Sequence, residues 1–215
     1  YIPVESEGGS VSKTQEMAIA DHALGMWAAQ RGDDSAEILL ERSGNFKNVH
    51  DPESNLAAGR MADGSFMEPG LEGWPEEYVE GNTYQYTWLA PHDAAGLAQA
   101  FGGSETAVAS LSELFENSEA APDTDFPDPY YWHGNEPDLH AAFLFSEWGR
   151  PDLTQEWVGW IQGRRYALDP DLQPADAHVV KERWGQHIAV GTIQGIQPYG
   201  GEEIPGAQGA AVGLY

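Results

Sequence analysis

Residues 79–103 read VEGNTYQYTWLAPHDAAGLAQAFGG. The stretch sets a carboxylate (Glu80), two amides (Asn82, Gln85), the rings of Tyr84, Tyr86, Trp88, His92 and Phe101, and a second acid (Asp93) around Gly-containing turns. It is too polar for a core segment and too aromatic for a solvated loop. Aromatic faces beside fixed amides and carboxylates suit a sugar, whose C–H faces stack on rings and whose hydroxyls pair with polar groups. The purely structural alternative is a helix over 77–89, with Glu80 favoured by the dipole of its first turns and the aromatics packed inward.

Outward from that stretch the pattern is helical. Residues 10–31 predict a helix. Ser12 with Gln15 makes a capping-box spacing, and Met17, Ala20, Leu24, Met26 and Trp27 follow at roughly helical intervals. Gly32 ends it, and Asp34 with Glu37 predicts a second short helix through Leu40. From Arg42 to Pro75 the period is lost in a Gly, Asn, Asp and Pro-rich loop, where Asn45, Lys47, Asp51 and Arg60 are expected to serve turn chemistry. Beyond it, 93–101 predicts a short helix closed by Gly102–Gly103, and Ser104 opens one carrying Val108, Leu111, Leu114 and Phe115. An acidic, Pro-rich loop over 117–131 leads to HGNEP at 133–137, with Pro137 suited to a first helical turn. Ala141, Leu144, Phe145 and Trp148 form the next apolar face. Asp152 with Gln155 then caps a helix turning Leu153, Trp157, Trp160 and Ile161 inward. The repeating unit is a helical hairpin, and β-patterned runs are absent through 166, so the expected class is all-α.

At 215 residues the chain is long enough for one sizeable core, and without Cys it has neither disulfides nor thiol chemistry. No apolar run approaches the roughly 20 residues of a membrane span, and no signal-peptide pattern opens the chain. Acidic residues number 35 against 10 basic, a formal charge of −25. That disfavours nucleic acid, since no cationic surface can release counterions from phosphate. Eight Trp, nine Tyr and seven Phe argue against disorder, so the acidity reads as adaptation to high salt, where self-repulsion is screened.

EGNTYQYTWLAPHDAAGL at 80–97, HGNEP at 133–137 and TQEWV at 154–158 resemble the calcium-dependent inverting α-mannosidases of glycoside hydrolase family 92. SVSKTQE at 10–16, RSGNFKNVHDP at 42–52 and ADGSF at 62–66 agree in the same order. The resemblance covers roughly residues 1–170 and implies part of an (α/α)6 barrel. It also implies an exo-acting α-1,2-mannosidase on mannose-containing glycans, an extracellular or periplasmic location, and other segments or chains completing the barrel. Residues 171–215 hold eight Gly and little helical period, and depart from the family's Asp-pair motif. They are expected to be a divergent or unmatched tail.

Inverting hydrolysis needs an acid at the leaving oxygen and a base that activates water from the opposite face. By resemblance the acid is Glu80, which must hold a proton near neutrality among Tyr84, Tyr86 and Trp88. The base falls nearest Asp176, with Asp171 as second candidate. Asn82, Trp88, His92, Asp93, His133, Asn135, Glu136 and His140 are the expected sugar contacts. The H-x-x-E spacing of His133 and Glu136 raises a transition metal, but it lies on a loop without a dense His cluster. Calcium takes hard oxygens, and Gln155 and Glu156 are the candidate contributors. The competing reading is a non-catalytic carbohydrate-binding or assembly fragment that keeps the aromatic and amide platform and lacks the base.

A charge of −25 destabilises the fold most where it is least screened. The midpoint of thermal unfolding should therefore rise by several degrees from dilute buffer to molar KCl. A flat or falling midpoint would remove the salt-adaptation reading.

Overall fold

The computed structural model describes residues 1–71, 73–121 and 129–165. Asp171, Asp176 and the Gly-rich 171–215 segment lie outside the described residues. Helix α1 (Ser10–Arg31) starts after Gly9, at φ 69°, and ends at Gly32, at φ 68°. There the N–H groups of Gly32 and Asp33 return to Ala29 O and Ala28 O at 3.1 and 3.0 Å, closing the last turn. Helix α2 (Ala36–Arg42) folds back as a hairpin. The two meet where a Cβ on Gly25 would lie 2.9 Å from the Leu40 side chain, and buried Asp21 pairs with Arg42 Nε at 2.9 Å.

Two expectations for α1 fail. Ser12 and Gln15 lie inside the helix and do not form its capping box, because their side chains reach another segment. The apolar residues placed at helical spacing face outward: Met17, Leu24, Met26 and Trp27 are all about half exposed. The buried face is Val11, Gln15, Ala18, Asp21, Gly25 and Ala28. Small and polar residues face inward here because the neighbouring backbone comes close and offers hydrogen-bond partners.

Residues 42–75 carry more structure than a loop. Ser43–Val49 is a 3-10 segment, and β1 (His50–Asp51) pairs antiparallel with β2 (Leu56–Ala57), a small β element the pattern did not predict. Turn chemistry claims most of the polar residues. Asp51 accepts from Glu53 N, Ser54 N and Ser54 Oγ, and Asn45 accepts from Asn48 Nδ2. Arg60 donates to Gly64 O and Asn48 O and covers the Tyr1 and Phe66 rings.

The expected helix over 77–89 shrinks to α3 (Thr83–Tyr86), leaving Glu80 outside it. Helix α4 (Ala94–Ala100) and α5 (Ser104–Ala120) form the next hairpin across Gly102 and Gly103, both at positive φ. Helices α6 (Ala141–Glu147) and α7 (Pro151–Arg165) form another, turned at Gly149. Asp152 does not cap α7. It pairs with Arg150 ahead of the helix, at 2.6 Å to Nη2. The larger core gathers Leu97, Phe101, Leu111, Phe115, Phe145 and Trp157 from α4–α7, with Phe115 stacked on Trp157 at 5.0 Å. A smaller core of Val11, Val49, Ala57, Tyr78, Tyr86 and Leu89 seats α1 and the β pair against the Glu80 segment. The described part is thus mostly helical, with its hairpins joined through the 79–93 stretch.

Burial pushes His50, His92 and His140 below the ordinary imidazole value, with His22 adding to the effect on His92 and His92 to that on His140. Nearby Asp51 and Asp93 pull the other way on His50 and His92, as does the Ser43 carbonyl on His92, while Lys47 lowers His92 further. The folded chain keeps these rings neutral while the unfolded chain binds protons below about pH 6.5, so stability must fall as pH drops through that window. In molar KCl, which screens the carboxylates, the unfolding midpoint should be lower at about pH 5.5 than at about pH 7.5. A midpoint that rises on acidification would show that these rings are not buried neutral.

Candidate active site

The E-G-N sequence is explained by its contacts. Glu80 adopts a left-handed backbone at φ 51°, a conformation non-Gly residues seldom take without support. The support is Asn135, whose Nδ2 donates to Glu80 O. Gly81 must lack a side chain, since a Cβ there would lie 2.8 Å from the Tyr86 ring. Asn82 caps α3: its Oδ1 accepts from Tyr84 N at 2.9 Å and Gln85 N at 3.4 Å, while Gln85 Oε1 accepts from Asn82 N at 3.0 Å. The remaining amide donors reach across, Asn82 Nδ2 to Pro129 O and Gln85 Nε2 to Tyr130 O, both at 3.0 Å. Asn82-x-x-Gln85 is a capping box the sequence displayed and the reading missed.

Helix α1 is stitched to the same segment. Gly9 N donates to Glu76 O, Val11 N to Glu77 O, Val79 N to Ser12 Oγ and Gln15 Nε2 to Tyr86 O, at 2.7–3.0 Å. This brings in Glu16, one residue further along, which the sequence reading had not singled out beyond its place in SVSKTQE. Glu16 as a whole is exposed, yet its carboxyl is pushed above the ordinary value, first by partial burial and then by the charge of Glu136. The phenol of Tyr86 donates to Val79 O and is pushed up to about 12. Burial is the main cause there; Ser12 opposes it, and the charges of Glu16, Glu136 and Glu80 add to it. Charges on α1, on the turn before α3 and on the HGNEP loop thus all act on one buried tyrosine.

HGNEP is braced from behind. Asp138 Oδ2 accepts from Trp132 N at 2.6 Å, and a Cβ on Gly134 would lie 2.6 Å from Trp132 Nε1. His133 is buried against Tyr131, with Nδ1 at the Tyr131 hydroxyl. Asn135 is also buried, and its Oδ1 accepts from Glu136 N at 3.0 Å, turning the Glu136 side chain into solvent at the start of a 3-10 turn (Glu136–Asp138).

The other expected contacts gather elsewhere. Trp88 is 2% exposed and stacks on Phe101 at 5.1 Å, and its carbonyl accepts from His140 Nε2 at 2.8 Å. His92 packs on Phe46 and His22 and donates from Nε2 to Ser43 O. Asp93 caps α4 through Gly96 N at 2.7 Å and pairs with Lys47 at 3.1 Å. Burial pushes the Asp93 carboxyl up, but Gly96 and Lys47 hold it below its usual value overall.

Gln155 and Glu156 are exposed on α7. Calcium takes roughly six to eight oxygens. Among the described residues no group of three or more His, Cys, Asp or Glu converges as a metal site. The described residues alone do not fit the ion.

Comparison with known proteins gives the family. Residues 1–176 match the glycosyl hydrolase family 92 catalytic domain. A family 92 α-mannosidase of Bacteroides thetaiotaomicron, solved in complex with mannoimidazole, is 30% identical with a TM-score of 0.72, covering 90% of this chain and 27% of its own. An inverting family 92 mannosidase of the same organism shares the fold at 23% identity and TM-score 0.72, over 90% of this chain and 28% of its own. An uncharacterized secreted glycosidase of Arthroderma benhamiae is 24% identical over 169 residues, 67% of this chain and 20% of that protein. The chain thus spans about a fifth to a quarter of these relatives. With the EGN turn locked to the HGNEP loop and the match running through nearly all of the described residues, the chain belongs to glycoside hydrolase family 92.

Proposed function

We propose that the protein containing these residues hydrolyses α-linked mannosides, as an exo-acting, inverting α-1,2-mannosidase working outside the cytoplasm. The observation that carries the reading is the Glu80 turn, at φ 51°, held through its carbonyl by the Asn135 amide of the HGNEP loop. The mannoimidazole-bound α-mannosidase is the likeness that supports mannose, and the secreted fungal relative supports the location. Glu80 donates the proton to the leaving oxygen. Glu136, exposed at the tip of a braced loop, binds sugar hydroxyls, with His133 and Asn135 shaping that loop. Asn82, Trp88 and His140 hold the frame, and His92 and Asp93 fix the start of α4 behind it. The base, Asp176 or Asp171, comes from the segment after α7 and takes a proton from the water that attacks the anomeric carbon from the opposite face. Calcium, when bound, would supply a charge that polarises sugar hydroxyls, and Gln155 and Glu156 would meet it only together with oxygens from outside the described residues. Further helical hairpins complete the (α/α)6 ring over the exposed Met17, Leu24 and Trp27 face of α1.

In a full-length protein carrying this segment, Glu80→Gln should nearly abolish cleavage of mannosyl-mannose, whose leaving group needs a proton. It should spare much of the rate on an aryl mannoside with an acidic phenol. Equal losses on both substrates would remove Glu80 as the acid. In the same assay, activity lost to EGTA should return with calcium and not with zinc.

The second reading, a fragment that binds without turning over, has its own support in the exposed apolar face of α1 and in the unmatched base motif. Loss of a base typically costs on the order of 10²–10⁴ in rate. Purified residues 1–215 should therefore show no EGTA-sensitive release of mannose above the uncatalysed rate. Measurable turnover by the isolated chain would mean that Asp171 or Asp176 supplies the base within it.

A further inference from the structure

The side chain of Asn135 is engaged at both ends by residues of the candidate site. Its Nδ2 donates to Glu80 O, and its Oδ1 accepts from Glu136 N at 3.0 Å. A backbone carbonyl only accepts and a backbone N–H only donates, so one orientation of the amide satisfies both. Asn135 is 5% exposed, where an amide deprived of either partner is costly to keep. Its own backbone sits in a braced turn: Asn135 N donates to Trp132 O at 3.2 Å, and Trp132 N to Asp138 Oδ2 at 2.6 Å. The Glu80–Gly81 peptide that receives the bond has little room to turn, since a Cβ on Gly81 would lie 2.8 Å from the Tyr86 ring and 3.0 Å from Gln85 Oε1. Two further ties between the segments run the other way, from Asn82 Nδ2 to Pro129 O and from Gln85 Nε2 to Tyr130 O. Those bonds hold α3, whereas the Asn135 bond falls on Glu80 itself, at φ 51°.

An amide that grips the carbonyl of one carboxylate residue and the N–H of another sets the two backbones in register before any substrate arrives. General-acid catalysis depends on where the proton is held, and a misplacement of about 1 Å can cost on the order of 10²-fold. We propose that Asn135 is a positioning residue for proton delivery, acting through the Glu80 peptide, rather than the sugar contact its residue type suggests. The inference rests on the mannoside reading with Glu80 as the acid, and it names what aims that acid.

The test uses a full-length protein carrying this segment, with mannosyl-mannose and an aryl mannoside of an acidic phenol as substrates. Circular dichroism and the unfolding midpoint check that each variant keeps its fold. Asn135→Asp retains the acceptor for Glu136 N and deletes the donor to Glu80 O. It should lower kcat on mannosyl-mannose by about 10- to 100-fold and leave the aryl mannoside within about 3-fold, with KM within about 3-fold for both. Asn135→Ala, which loses both bonds, should show the same split in kcat. In a Glu80→Gln background Asn135→Asp should cost less than about 2-fold more, because the residue it acts through has already lost its proton. A role in folding or in sugar contact would lower both substrates alike and would persist in that background. Either result overturns the positioning role and leaves the mannoside reading standing, as does an unchanged kcat on mannosyl-mannose in both variants. If Glu80→Gln itself lowers both substrates equally, Glu80 is not the acid and the positioning role falls with it.

Discussion

The buried amides of Asn82 and Gln85 are what the rest of the arrangement depends on. Each is at most 1% exposed, and an amide taken out of water is costly unless its donors and acceptors are all met. They are met by each other, by the first turn of α3, and by the backbone of Pro129 and Tyr130. One small capping box therefore fixes the direction of α3, the Glu80 turn just ahead of it, and the approach to HGNEP some 50 residues later. Apolar packing could not have set that register, because it is not directional. Losing one amide would leave its partners buried and unpaired, so the segment holds or fails as a unit.

Carboxylates whose charges act on Tyr86 add to the self-repulsion of a chain already at −25. Like charges at short range oppose one another's ionisation, and Glu16 registers this through Glu136. The fold accepts the cost by holding the charges on separate elements. Glu16 rides on α1, Glu80 on a strained turn, and Glu136 on a loop that Asp138 and Trp132 secure from behind. Positions on different elements can be adjusted independently, which a site for a particular sugar geometry requires. The left-handed Glu80 backbone has the same logic: the strain is local, and the Asn135 amide that sustains it is what aims the residue.

The outward apolar residues of α1 give the fold a second unbalanced face. Met17, Leu24 and Trp27 would be a core stripe in a self-sufficient hairpin, yet the helix turns its small and polar side toward Leu40 and the Val79–Tyr86 segment. Hydrogen bonds from Ser12 and Gln15 and the close approach at Gly25 decide the rotation of the helix. Hydrophobicity alone would have chosen the opposite one. The choice follows if further helices cover that side in the larger protein.

The hairpin character, the helices at 94–100, 104–120 and 151–165, and the inward faces of α5 and α6 were legible in sequence, because periodic apolar residues and Gly stops act locally. The family was legible too, since ordered motifs persist where contacts bind distant segments together. What sequence alone misjudged were the capping box of α1, the length of the helix after Glu80, the small β pair and the outward face of α1. Each was decided by partners far along the chain: Val79 for Ser12, Tyr86 for Gln15, Asn135 for Glu80. Trp88 and Asn82 look like sugar contacts by residue type, and only tertiary structure shows one stacked on Phe101 and the other spent on backbone. Glu16 carries no local signal at all, and it feels the charge of Glu136 because α1 is stitched to the 76–86 segment. Local rules set which elements form, and hydrogen bonds between remote segments set which side chains meet.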